Sequence, residues 1–495
     1  MGQLRFIASR SEHLAARTVE LAYVAGIEGV PWPCQCHTEG QPPGELVVER
    51  ASAESGNLHL LWYAKGIGET VISTASLMER QRPYNLPVEL ARGTVNRLRN
   101  QIADWQLSGY QIPPADAAAI REIAALFSRV ATSQDVAAAE RDAEQAICDS
   151  LRVGQRLAAE CSRQHLAARR QETGPLSVLF GGVVPPQALQ PPQAAFVSGA
   201  WNSVAVPFPW RSVETSPGRF AWDACDAHIE WCLGCGLRVV GGPLVCLTRN
   251  TVPDWLHLWE DDFDHVQKLL LHFLHAVVQR YRGKVHIWNC LGGINVPGSL
   301  TISEEQRLRL AVTAMEELRR VDSATPAIVA FDQPWGEYLS AGGLELSPLH
   351  FADALVRADL GIAGLGLELN LGYWPGGTLP RDAVELSHQL DRWSLLGMPL
   401  VVFLTIPSSA ATATHARLTV RPPSSPAPPP SLASQEVQAA QFVRLILSKP
   451  FVQGLFWNQF SDAGTDCAHG GLFDPAGNPK PVCAVFQDIF QQHFV

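Results

Sequence analysis

From about Ser177 onward the hydrophobic positions fall in short consecutive runs, each followed by a polar tail and then by an amphipathic stretch. Eight such runs can be followed: Ser177-Val-Leu-Phe-Gly, Ser203-Val-Ala-Val-Pro, Leu237-Arg-Val-Val-Gly-Gly, Val285-His-Ile-Trp-Asn289, Ala327 to Phe331, Leu360 to Leu369, Pro399 to Thr405, and Gly454-Leu-Phe-Trp457. Consecutive rather than alternating apolar residues mark strands buried on both faces, as in a parallel sheet. The stretches between them read as helices; in Glu304 to Arg320 the residues Leu308, Val312, Met315 and Leu318 line one face. Eight strands alternating with helices predict an α/β chain whose residues 175–495 form a (β/α)8 TIM barrel. One interruption follows the seventh strand. Residues 407–435, with Pro-Pro-Ser-Ser-Pro-Ala-Pro-Pro-Pro at their centre, have the composition of an extended spacer, because such a segment buries too little apolar area to offset its ordering entropy.

Upstream the pattern differs. Residues 1–82 contain short segments such as Leu46-Val-Val-Glu-Arg50 and Leu58-His-Leu-Leu-Trp-Tyr63 between Gly, Pro and Asn turns, which predicts a small β-sandwich-like domain. Residues 83–174 are rich in Ala, Arg, Glu and Gln and read as a helical segment broken at Pro113 and Pro114. Within it Asn96, Arg97, Arg99, Asn100 and Gln101 form a polar face suited to solvent or to an interface. This segment is the candidate surface for homo-oligomer formation.

Of the 495 residues, 46% are hydrophobic and 17% charged, enough to bury large cores. The formal charge of −10 and the lack of an Arg/Lys-rich patch argue against nucleic acid as a partner. The most apolar stretch, around Leu269 to Val278, is broken by His272 and His275 and falls short of a membrane span. The start Met1-Gly-Gln-Leu-Arg-Phe-Ile has no signal-peptide core, so a cytoplasmic location is expected. Eleven scattered cysteines suit free thiols in a reducing compartment. Cys34-Gln-Cys36-His37 and Cys232-Leu-Gly-Cys235 each lack the four ligands of a structural zinc. No Gly-rich phosphate loop or Gly-x-Ser-x-Gly elbow is seen, and no cofactor or metal is expected.

Two strand ends carry most of the candidate chemistry. The fifth run ends in Asp332-Gln333-Pro334-Trp335-Gly-Glu337-Tyr338, and the sixth in Glu368-Leu-Asn370-Leu-Gly-Tyr373-Trp374. Barrels keep their active sites at the carboxyl ends of the strands. Asn202 with Trp210, then Pro217-Gly-Arg-Phe220 and Asp226, Gly241, Leu244, Pro253 and Trp255, Tyr281 to Trp288, and Trp457-Asn-Gln-Phe-Ser-Asp462 with Lys480-Pro481 recur in an order and spacing that resembles glycoside hydrolase family 10, the xylanase family, over residues 196–490. The resemblance implies a barrel acting on or binding a poly- or oligosaccharide. It also locates departures. Gly293 stands where the family has its acid/base glutamate, Phe403-Leu404-Thr405-Ile406 replaces the motif with the nucleophilic glutamate, and Gly242 and Cys246 replace a His and a Trp of the third strand. Glu368 falls where the family has Gln, and Asn370 where it has His.

A glycosidase needs two carboxyl groups across the scissile bond. With the fourth and seventh strands empty of them, Glu368 with Glu337 or Asp332 are the candidate catalytic residues, relocated to strands five and six. Asn202, Trp210, Asn289, Gln333, Trp335, Asn370, Trp374, Trp457 and Asp462 are the expected substrate-binding residues, since aromatic faces match the C–H face of a sugar. Two readings stay open: an O-glycosyl hydrolase with non-standard catalytic residues, which is favoured, and an inactive barrel serving as a carbohydrate-binding or assembly module.

Overall fold

The computed structural model describes residues 2–40, 44–248, 250–423 and 427–495. Its C-terminal part is a closed barrel of eight parallel strands: Leu179–Val183, Ser203–Val206, Arg238–Gly241, Ile287–Gly292, Ala327–Asp332, Gly364–Asn370, Leu400–Thr405 and Val452–Trp457, with the eighth paired back onto the first. A short strand, Val245–Cys246, extends the third along the fourth. Each of the eight apolar runs of the sequence overlaps one of these strands, although the runs from Ser177, Val285 and Leu360 begin two to four residues before theirs. The pleat sends alternate residues inward. Leu179, Ala205, Val240, Ile328, Ala330, Val401, Phe403 and Phe456 fill the interior, while Leu365, Leu367, Leu369, Leu404 and Trp457 face the outer helices and join the largest core.

The amino-terminal residues form two four-stranded sheets. One runs in the order Cys34–Glu39, Glu45–Arg50, Gly2–Ile7, Tyr84–Asn85, and the other Pro31–Trp32, Tyr23–Ala25, Asn57–Ala64, Gly68–Ser73. Leu4, Phe6, Leu46 and Val48 of the first sheet and Leu58, Leu60, Trp62 and Ile72 of the second share one core with Leu86, Leu90 and Ile147 from the following helices. Helix Leu86–Leu107 starts at Asn85, whose side chain accepts a hydrogen bond from the Val88 amide. It crosses the sheet at Gly93, where a Cβ would lie 1.9 Å from the Ser73 carbonyl oxygen, so only glycine permits the approach.

Of that helix's polar face, Arg97 and Gln101 turn to the barrel, while Asn96, Arg99 and Asn100 are exposed. Arg97 donates to Asp382 at 2.5 Å and to Glu385 at 3.1 Å, and the Trp105 indole donates to Ser387. The β domain grips the loop after the sixth strand as well: the Val71 amide donates to the Pro380 carbonyl, and Trp374 and Leu379 pack with Leu21, Tyr23, Leu61 and Val71. At the centre of this contact Arg381, 1% exposed, donates to Glu337 at 2.5 Å and to the Tyr23 hydroxyl at 3.0 Å, and lies over the Trp335 ring.

The Pro-rich insertion does not behave as a spacer. Residues 424–426 lie outside the described ones; on either side the chain folds over the barrel mouth. Ser408, Arg417 and Leu418 bond through their amides to the carbonyls of His469, Thr465 and Asp466, and the Ala413 and Leu418 side chains are buried. Backbone pairing with the loop after the eighth strand supplies the order that composition argued against. From Leu432 the predicted insertion is already helical, in Leu432–Ser448.

Removing one member of a buried ion pair strands the other charge, at a cost of about 3–5 kcal/mol. Arg381→Ala is therefore expected to lower unfolding free energy by that order in urea denaturation, and to raise susceptibility to proteolysis at the contact between β domain and barrel. A loss below 1 kcal/mol would show that the pair contributes little.

Candidate active site at the mouth of the barrel

In the parallel register Asp332 lies opposite Glu368, and Asn370 opposite Thr405. By the alternation that sends Ile328 and Ala330 inward, Asp332 also points into the barrel, at the carboxyl end of its strand. Glu368 and Asn370 do the same on the next one. A Cβ built on Gly292, at the end of the fourth strand, would stand 3.5 Å from a Glu368 carboxyl oxygen, and one on Gly293 3.6 Å from Asp332 Cβ. At Gly292 a Cβ would meet Pro243 first, at 2.9 Å, so Pro243 and the glycine backbone pack against this side of the acids.

The carboxyls have different surroundings. Asp332 is buried, accepts a hydrogen bond from the Gln333 amide at 2.8 Å, and has the Asn370 side chain beside it. Gln333 holds its place with a left-handed backbone, φ 48°. Glu368 is partly exposed, and among the described residues no group donates a hydrogen bond to it. Arg417, brought in by the insertion and 3.7 Å from Asp466, is close enough for its charge to act on both acids. Burial raises both carboxyls, Glu368 to about 8, and each opposes ionisation of its neighbour, while Arg417 pulls the other way. Two acids so placed hold a proton between them into the neutral range.

A cleft of about 420 Å³ with mixed lining opens at the barrel mouth, walled by Val184, Pro185, Pro207 and Phe460 as well as by Gln190, Asn458 and Asp466. From its wall the Asn458 side-chain amide donates to Asn370 at 3.3 Å, and the Asp466 charge acts on Glu368. Cys467 also donates to Asn370. Among the described residues no group of three or more His, Cys, Asp or Glu side chains could hold a metal ion.

Several residues expected at the site serve the scaffold instead. Glu337 is locked against Arg381 and the Leu379 amide, 1% exposed. Asn202 sits at the opposite end of the barrel, bridging the Phe180 amide and the Val178 carbonyl. Trp210 is buried against Trp255 and Phe273 and donates to Glu214. Trp335 donates to Glu385, and Trp457, on the outer face of its strand, to the Gly470 carbonyl. Trp374 packs on the β domain. Asp462 is paired with Lys480 at 3.0 Å and accepts from the Gly471 amide. Asn289 points into the barrel interior below the mouth, buried, its Oδ1 without a protein partner. Asp332, Glu368, Asn370 and, as a backbone support, Gln333 are the expected residues that converge. Arg417, Asn458 and Asp466 were not foreseen. Asn458 could have been found, because the inward position of Phe456 makes residue 458 inward too; nothing in a Pro-rich stretch announces Arg417.

A closed parallel barrel with its polar groups at the carboxyl ends of the strands belongs to the (β/α)8 class of folds. Residues 177–294 match the model of glycosyl hydrolase family 10, which overlaps the first part of the span over which the sequence motifs resemble that family. Among solved structures, native xylanase 10B from Thermotoga maritima aligns at 16% identity and a TM-score of 0.48, covering 67% of this chain and 97% of its own. For xylanase B from Clostridium stercorarium F9 the values are 17%, 0.47, 65% and 99%. For TsXylA, described as an intracellular xylanase from Thermoanaerobacterium saccharolyticum, they are 14%, 0.46, 62% and 95%. No curated protein matches the chain.

A carboxyl whose folded pKa lies near 8 against 4.5 unfolded keeps its proton in the folded state where the unfolded chain has lost it. It therefore withdraws stability as pH rises from about 4.5 to about 8 and no further above that. Glu368→Gln removes this penalty. Its stability relative to wild type is expected to grow across that window, by about 1–3 kcal/mol in all given the partial exposure of the group. Melting curves from pH 4.5 to 9 that stay parallel would contradict the raised pKa.

Proposed function

We propose that this chain is a glycoside hydrolase-like protein that takes a poly- or oligosaccharide into the cleft at the barrel mouth and cleaves it with Glu368 and Asp332. The observation that carries this reading is the pair itself: two inward carboxyls on neighbouring strand ends, desolvated, one of them partly exposed and without a hydrogen-bond donor among the described residues. The Gln333 amide and Asn370 favour charge on Asp332, so the shared proton falls to Glu368, which becomes the acid that protonates the leaving oxygen. Asp332 is then the carboxylate that activates water or attacks the anomeric carbon. Polar lining by Gln190, Asn458 and Asp466 suits a hydroxyl-rich ligand. We place the chain in a reducing compartment, in keeping with its eleven free thiols, and among the described residues no helix is long and apolar enough to cross a membrane.

A second reading, a barrel that binds sugar without cleaving it, draws on Arg417, which stands over the acids from the insertion. A panel of aryl-glycosides and polysaccharides separates the two. Turnover by wild type that falls at least about 100-fold in both Glu368→Gln and Asp332→Asn, and declines above pH 8, supports hydrolysis. Absence of turnover with a sugar-dependent rise in Tm supports binding alone. Turnover that survives both substitutions would remove these residues from the chemistry.

A further inference from the structure

The β domain holds a second reactive cluster, far in sequence from the barrel mouth. Cys34 and Cys36 occupy alternate positions of the outermost strand of their sheet, Cys34–Glu39, so both side chains point to one face. Directly across from Cys34 in the antiparallel register is Arg50. Arg50 is 4% exposed, and among the described residues none of its three guanidinium nitrogens has a hydrogen-bond partner. Its other neighbours are the Trp32 ring at 5.8 Å and the charges of Glu79 and Glu54, which act on it together with Cys34, Glu79 most strongly, without a hydrogen bond to it. A buried guanidinium with five unmade N–H bonds is costly unless an anion is supplied. Cys34 is the side chain placed to supply it.

The two thiols also differ from each other. Cys36 donates to the Ala22 carbonyl at 3.4 Å, and its proton is held firmly by Cys34 and by burial. Cys34, beside Cys36 and the Val24 amide and with Arg50 adding its charge, is drawn down to about 7. A thiolate of that kind, half-buried beside a cation, is the reactive sort; Cys225, Cys232, Cys290, Cys467 and Cys483 are pushed up by burial and are inert by comparison.

We propose that Cys34 and Cys36, with Arg50, form a peroxide-reactive dithiol. The Cys34 thiolate sulfur attacks one oxygen of a hydroperoxide. The O–O bond breaks, an S–O bond forms, sulfur loses two electrons, and hydroxide or alkoxide leaves, steadied by the free N–H groups of Arg50 and protonated by solvent. Cys36 sulfur then attacks the Cys34 sulfenic acid, the S–O bond breaks, and the Cys36 proton departs with the hydroxyl as water. The sum is two thiols and one peroxide to one disulfide, water and the reduced peroxide fragment. Among the described residues the outer edge of strand Cys34–Glu39 has no further strand paired to it, which leaves the backbone between the two cysteines free to pucker as the ring closes.

The test is treatment of the full chain with substoichiometric hydrogen peroxide, followed by differential alkylation and peptide mass spectrometry. The exposed Cys235 serves as internal reference. Oxidation is expected at Cys34 at least about tenfold faster than at Cys235, ending in a Cys34–Cys36 disulfide. Cys36→Ser should trap a dimedone-reactive sulfenic acid on Cys34. Arg50→Met should slow the first step about tenfold, whereas Arg50→Lys, which keeps the charge, should restore most of it. Oxidation of Cys34 no faster than Cys235, a Cys34 adduct that Cys36 never resolves, or equal rates in Arg50→Met and wild type would each overturn the proposal.

Discussion

The register in which Ala327–Asp332 lies against Gly364–Asn370 governs the barrel mouth. Pairing Asp332 with Glu368 puts two carboxyls on the same level of the interior, and a slip of one residue would turn every inward side chain of a strand outward. That register is fixed from below by Ile328 and Ala330, which pack inside with Val401 and Phe403, and from outside by Leu365, Leu367 and Leu369 in the main core. The hydrophobic effect therefore sets the position of two groups it would otherwise exclude.

Other parts of the chain reinforce the same two strands. The β domain clamps the loops after strands five and six through Tyr23, Arg381 and Glu337, and helix Leu86–Leu107 anchors the helix after strand six through Arg97. The insertion delivers Arg417 above them and is itself tied to the β domain, where Arg421 pairs with Glu20 at 2.7 Å. A barrel with no acid in its fourth or seventh strand thus has its supports gathered around the fifth and sixth.

The fold was legible because buried parallel strands leave uninterrupted apolar runs, and all eight were visible. The site was legible only in part. Glu368 and Asp332 sit inside strands, where the pleat fixes direction; Glu337, Trp335 and Trp374 come after strand ends, where the chain turns freely and only tertiary packing decides what they meet. Trp457 and Asn458 show the limit more sharply. They are adjacent, and the aromatic that looks like a sugar platform faces the helices while the amide beside it reaches the mouth. Arg417 was hidden because composition measures how much a segment can bury, not the backbone bonds by which it attaches to a neighbouring loop.

A carboxyl-carbon NMR titration of Glu368 and Asp332, each assigned by its amide or asparagine variant, reports the pair most directly. A Glu368 signal that changes with a midpoint near pH 8 and shifts downward in Asp332→Asn is the result expected of two acids sharing a desolvated site. A midpoint near 4.5, unchanged by Asp332→Asn, would mean that the carboxyls are independent and solvated, and that strands five and six carry no relocated acid.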